Sequence, residues 1–187
     1  MILIVGLGNP GEKYRNTRHN VGFLVLEHLL QKLTTVEKSV WEENKKFSVE
    51  IAKIGNELVL AKPLSFMNVS GEVVAKLMSF YKIPSFGLYL VHDDVDLPLG
   101  KLKITVDHGS AGHKGVESVM EKLGSQNFVR IRVGVGKDRK VATDRFVLMP
   151  FMLWEKGQLS HAVKKAVEAI EMILKEGVER TANKFNQ

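Results

Sequence analysis

Two short stretches hold most of the chemistry this sequence can do. Residues Asn9 to Asn20, NPGEKYRNTRHN, carry an amide in Asn9, a phenol in Tyr14 and an imidazole in His19. Residues His92 to Asp96, HDDVD, carry a histidine and three carboxylates. A histidine brought beside an aspartate makes a base and its orienting group. The chain has no cysteine and no Gly-x-Ser-x-Gly elbow, so neither supplies a nucleophile. A histidine–carboxylate pair without a nucleophile points to activated water, and hence to hydrolysis. Two more polar segments, Pro63 to Asn68 and Gly109 to Lys114, add Phe66, Asn68 and Lys114.

Each of these residues also has an ordinary reading. His19 alone fits a surface or capping histidine, and Asp93 a turn or cap carboxylate. The DDVD cluster with His92 offers oxygen ligands to magnesium, but a solvated turn suits it better. Phe66 and Met67 fit a core. Lys101, Lys103, Arg130 and Arg132 fit a solvated strand face.

The elements around these segments alternate. Met1 to Val5 is an unbroken apolar run, as expected of a strand buried on both faces. Val21 to Leu33 has helical spacing. Thr34 to Asn44 is polar and without period, a surface connection. Phe47 to Ile54 alternates as a strand, Gly55-Asn56 signals a hairpin, and Glu57 to Ala61 returns. Ser70 is placed to cap a helix reaching about Tyr81, with Glu72 in its first turn. Leu88 to Val91 is a short buried strand delivering His92 to Asp96. Lys101 to Val106 and Val129 to Val135 alternate as strands, with a helix over Val116 to Leu123 between them. A short helix at Thr143 to Leu148, a long amphipathic helix at Trp154 to Lys175 and a basic tail follow. This order predicts one α/β domain over residues 1–187. Its mixed, mostly parallel sheet lies between helical layers, a three-layer α/β/α sandwich. Loops at the carboxyl ends of such strands converge on one crevice.

Gly6-Leu7-Gly8-Asn9-Pro10-Gly11 satisfies G-x-G-x-x-G after a strand. A dinucleotide site needs a helix starting within the glycines, whereas the helical pattern here begins only at Val21. A nucleotide-cofactor protein is therefore the minor alternative, and an RNA-binding module without catalysis is another. Composition narrows the classes further. The 187 residues are 44% hydrophobic and 26% charged, as in an ordinary globular domain. Without cysteine there is no disulfide framework or thiolate metal site. The N-terminal apolar run is too short for a signal peptide, and no stretch is long enough for a membrane helix. A net charge of +6 favours an anionic partner, nucleic acid first.

Taken together, the polar segments closely resemble the bacterial peptidyl-tRNA hydrolase family. The resemblance rests on Gly6, Leu7, Asn9, Pro10, Gly11 and Tyr14, then Thr17, Arg18, His19, Asn20 and Gly22. It continues in Pro63, Phe66, Met67, Asn68, Ser70 and Gly71, and in His92, Asp93, Asp94, Asp96, Leu97, Pro98 and Gly100. Gly112, His113 and Gly115 match, as does Arg130 to Gly136, RIRVGVG. One position departs: the family's asparagine after Gly-His is Lys114 here. The family resemblance implies cleavage of the ester between a peptide and the terminal ribose of tRNA, with no cofactor and no required metal. It implies that His19 takes a proton from the attacking water and that Asp93 holds the basic tautomer. Asn68 would hold water or the substrate carbonyl, and Asn9 would contact the peptide beside the ester. Tyr14 and Phe66 are expected to stack on terminal bases, Lys114 to meet the RNA end, and Lys103 and Arg132 to meet acceptor-stem phosphates. A cytoplasmic monomer acting on tRNA that carries a peptide, without a membrane partner, is the expectation.

Overall fold

The computed structural model describes residues 1–34 and 39–187. The N-terminal apolar run forms β1 (Ile2–Gly6), buried from Leu3 onward. The other strands are β2 (Glu42–Asn44), β3 (Val49–Ile54), β4 (Leu58–Pro63), β5 (Leu88–Asp94), β6 (Leu102–Val106) and β7 (Val129–Gly134). They make one sheet in the order β2-β3-β4-β1-β5-β7-β6. The central strands β4, β1, β5 and β7 are parallel, while β2–β3, β3–β4 and β6–β7 pair antiparallel. A strand flanked by parallel neighbours and covered on both faces must be apolar throughout, as β1 is.

Helices cover both faces. One core joins α2 (Ser70–Tyr81) and α3 (Lys114–Leu123) to Leu3, Val5, Leu90 and Phe128. The other joins α1 (Val21–Leu33), α5 (Lys156–Glu176) and α6 (Val178–Phe185) to Ile4, Val91, Ile131 and Val133. Between β7 and α5 lies the short α4 (Thr143–Phe146). The mixed sheet between helical layers is the architecture the alternation predicts.

Gly22 shows why α1 starts where it does. A Cβ there would strike the carbonyl oxygens of Leu7 and Val91, so only glycine lets the helix sit on the ends of β1 and β5. That contact sets His19, three residues earlier, over the sheet.

Several expectations change. Part of the Thr34 to Asn44 connection, residues 35–38, lies outside the described residues. Its end is not loop: Glu42–Asn44 pairs with β3 as an edge strand. Ser70 does not cap α2. A 3₁₀ turn, Met67–Val69, runs straight into the helix and leaves Ser70 buried inside it. The basic tail forms α6, whose Phe185 enters the core. β7 is not a solvated face. It lies between β5 and β6, so Arg130 and Arg132 are buried.

Candidate active site

At the carboxyl ends of the parallel strands lies a cavity of about 490 Å³, lined by Asn9, His19, Phe66, Asn68, Asp93 and Lys114 among others. The loop after β1 supplies Asn9 and His19. The 3₁₀ turn after β4 supplies Asn68, and the end of β5 supplies Asp93. β5 continues through Asp94, pairing with Gly134, so Asp93 sits on a rigid strand rather than on a loop.

His19 is held from several sides. Its backbone N–H donates to the Val147 carbonyl at 2.8 Å. The preceding Arg18 is a buried clamp. Its guanidinium donates to the carbonyls of Met149 and Pro150 and, at 2.7 Å, to both oxygens of Glu155. Asn20 locks the other side of the loop. Its side chain accepts from the Asn9 N–H and donates to the Asn9 carbonyl, each at 2.9 Å. The Asn9 side-chain oxygen accepts the Met67 N–H at 2.9 Å, which leaves its NH₂ as the group available to a ligand.

The chemical centre is Asp93. Its Oδ1 lies 2.8 Å from Nδ1 of His19 and 2.9 Å from Nε2 of His113. Burial alone would push this carboxyl up. The two histidines, by charge and hydrogen bonding, outweigh burial and hold it well below the usual carboxylate range. Asp93 is therefore an anion at neutral pH and accepts from both rings. His113 also caps α3: its Nδ1 accepts the N–H groups of Gly115 and Val116 at 3.1 and 3.3 Å. His113 belongs to a Gly-His motif whose sequence alone assigns it no task. Its position explains why. β6 runs antiparallel to β7, so Val106 is level with Val129 at the far end of the sheet. Residues Asp107 to Gly112 must travel back before His113 reaches Asp93. Arg130 secures that return by donating to the Gly109 carbonyl at 2.8 Å.

His92 turns to the Asp93 backbone, donating from Nδ1 to the carbonyl oxygen at 2.7 Å, and its Nε2 is buried without a partner. Burial, reinforced by the nearby His113, holds its ring well below the usual imidazole range. The native state keeps it neutral, whereas the unfolded chain protonates it near pH 6.5. Below that pH the unfolded state binds the extra proton, so stability falls as the pH falls towards the native value. The loss approaches about 1.4 kcal/mol per pH unit for one proton. Denaturant unfolding at pH 7 and 5.5 checks this. His92→Asn keeps the donor and removes the titration, so its loss of stability over that interval is expected to be smaller than that of the parent.

The structure gives the other predicted residues unequal places. Phe66 is exposed on the cavity rim, and Tyr14 meets it edge-on at 6.4 Å without lining the cavity. Lys114, first residue of α3, is exposed at the cavity. Lys103 is exposed on β6, outside the cavity. Arg132 does not suit a phosphate contact. It is buried, and its guanidinium is committed to Asp94 at 2.6 Å.

Among the described residues, neither cluster of possible ligands fits a cation. Asp94 spends one oxygen on Arg132 and the other on the Asp96 N–H, Asp93 faces the imidazoles and the Asp96 carboxylate lies 3.5 Å from Lys137, so the DDVD carboxylates diverge. His19, Asp93 and His113 do bring ligand atoms within 4.8 Å of one another. A neutral histidine that ligates through Nε2 must carry its proton on Nδ1. In His113 that atom already faces two backbone donors, so its proton belongs on Nε2. The glycine run also fails as a nucleotide site. It leads to a 3₁₀ turn, Glu12–Tyr14, and Gly6 and Gly8 are packed against Gly22 and Phe23 of α1.

Residues 3–187 match the model of a family described as peptidyl-tRNA hydrolase. A peptidyl-tRNA hydrolase of Thermodesulfovibrio yellowstonii is 40% identical, with both chains covered in full. One of Aquifex aeolicus is 41% identical over 90% of this chain and 87% of its own. The crystal structure of the Acinetobacter baumannii peptidyl-tRNA hydrolase superposes with a TM-score of 0.90 at 29% identity, covering 100% of this chain and 94% of that one. No helix among the described residues is long and apolar enough to cross a membrane. By family match, identity and fold together, the chain belongs to the peptidyl-tRNA hydrolase family.

Proposed function

We propose that the chain hydrolyses the ester between an N-blocked peptide and the 3′-terminal ribose of tRNA, by water that His19 activates. The product would be free tRNA, recycled from prematurely released peptidyl-tRNA in the cytoplasm by a monomer. The observation that carries the reading is the 2.8 Å pair of His19 and anionic Asp93 at the wall of an open cavity.

Asp93 accepts the Nδ1 proton of His19, so Nε2 carries the ring's lone pair. Nε2 takes a proton from water as the water oxygen attacks the ester carbonyl. The C–O bond to ribose then breaks, and the imidazolium returns the proton to the departing ribose oxygen. Asn68, exposed at the cavity, has the donors and acceptor to hold the water or the carbonyl. The NH₂ of Asn9 would meet a carbonyl of the peptide, which a free aminoacyl group lacks. Phe66, braced by Tyr14, offers a stacking face to a terminal base, and Lys103 an exposed charge to a phosphate. Incubation with N-acetyl-aminoacyl-tRNA and with its unblocked counterpart tests this. Release is expected from the blocked substrate and to be much slower from the free one. No release from the blocked substrate would sink the proposal.

Lys114 is where the chain departs from the Gly-His-Asn-Gly pattern that the sequence otherwise resembles. Lysine donates but cannot accept, and it brings charge to a cavity that receives a polyanion. Lys114→Asn is expected to keep most of kcat. Lys114→Ala is expected to weaken RNA binding and to flatten the salt dependence of affinity by about 0.7–0.9 log units per lost phosphate contact. An unchanged KM and salt slope in the alanine variant would mean that Lys114 only points to solvent.

A further inference from the structure

One carboxylate oxygen serves two imidazoles here, and only one of them has a part in the proposed step. Oδ1 of Asp93 is 2.8 Å from His19 and 2.9 Å from His113, both nearly buried. The tautomer of His113 is dictated from outside the site. Two N–H groups in the first turn of α3, from Gly115 and Val116, point at its Nδ1. A nitrogen facing two donors must present its lone pair, so the proton resides on Nε2 and is donated to Asp93. The helix end thus sets the direction of a hydrogen bond one ring away.

We infer that His113 is a positioning residue that shares the Asp93 carboxylate with His19, and so limits how strongly Asp93 stabilises the protonated base. This rests on the reading of His19 as the base. A carboxylate oxygen that already accepts one buried N–H has less charge to offer the next donor. If His113 ceased to donate, the imidazolium of His19 would be better stabilised, and the ring would hold its proton to higher pH. More enzyme would then sit in the inactive, protonated form on the acid side of the profile. The other charged or titratable groups facing the pair are His92, whose ring is 4.7 Å from that of His113, with Lys114 and Asp144 in the cavity lining. The Asp94–Arg132 pair lies one residue along β5. None of these changes in the variants below.

His113→Asn separates the two tasks of His113. Asparagine is a good helix N-cap, so α3 keeps its start, but its side chain is too short to reach Asp93. His113→Gln has an amide at nearly the reach of Nε2 and can restore the donation. Imidazole NMR of the full chain would follow the titration of His19 in the parent and both variants, alongside kcat/KM against pH. The protonation midpoint of His19 is expected to rise by roughly one pH unit in His113→Asn, with partial return in His113→Gln. The acid limb of kcat/KM should move with it, making the rate there about tenfold lower. In the parent, the nitrogen shifts of His113 are expected to show the Nε2–H tautomer. An unmoved His19 titration in His113→Asn overturns the inference, as does an Nδ1–H tautomer in the parent. A merely structural role would lower the rate equally at every pH and leave the titration in place. If His19 is not the base, its titration would still move but the acid limb would not follow it, so the two failures are distinct.

Discussion

Replacing His19 by alanine is expected to lower kcat by about 10²–10⁴-fold, the usual loss when a general base is removed. Binding of tRNA should survive. The His19 side chain touches Asp93 and the cavity, whereas the exposed charges suited to phosphate, Lys103 and Lys114, lie on other elements. The loop itself should also hold its shape. Its anchors are the His19 N–H to Val147, the Arg18 clamp on Glu155 and the Asn20–Asn9 pairing, and none uses the imidazole. Single-turnover hydrolysis of N-acetyl-aminoacyl-tRNA, with filter binding of the same RNA, separates the two effects. A near-parental rate in His19→Ala would remove it as the base.

The second large effect is expected at Asp93. Asp93→Asn should lower kcat by about 10²–10⁴-fold and leave KM nearly alone. Asparagine can still accept from the imidazoles through its oxygen. It cannot stabilise the imidazolium that forms as water gives up its proton. It also presents an NH₂ that invites the wrong tautomer of His19. Because the carboxylate serves His113 as well, the substitution removes the charge that two rings share. Steady-state kinetics at several pH values check this. A rise in KM with kcat unchanged would make Asp93 a binding residue instead.

Much of this site is legible in the sequence. The apolar run ahead of Gly6 announced a buried parallel strand, and the polar residues after it announced a loop at its carboxyl end. Asp93 followed another apolar run and arrived at the same crevice. These inferences worked because each depends on one strand and the loop it feeds. What failed depended on neighbours. Arg132 alternates with apolar residues just as an edge-strand basic residue would. Nothing in that alternation says that β6 precedes β7 in the chain yet lies outside it in the sheet, which buries Arg132 against Asp94. His113 was obscure for a similar reason. Its meeting with Asp93 requires a return along the sheet from the far end of β6, a carbonyl held by Arg130, and two free N–H groups at the start of α3. Ser70 is not the cap because the preceding 3₁₀ turn feeds the helix directly, and the Gly71 N–H donates instead to the Ser118 hydroxyl.

The proposed step, water activated by His19 with Asp93 orienting the ring, uses no metal. It is tested most directly by turnover of a small N-acylated nucleotide ester in excess chelator, a substrate too small to depend on magnesium for folding. An undiminished rate is expected, because the proton on Nε2 of His113 and the divergence of Asp93, Asp94 and Asp96 leave no ligand set for a cation among the described residues. Complete loss of turnover, restored by adding back a divalent metal, would contradict it.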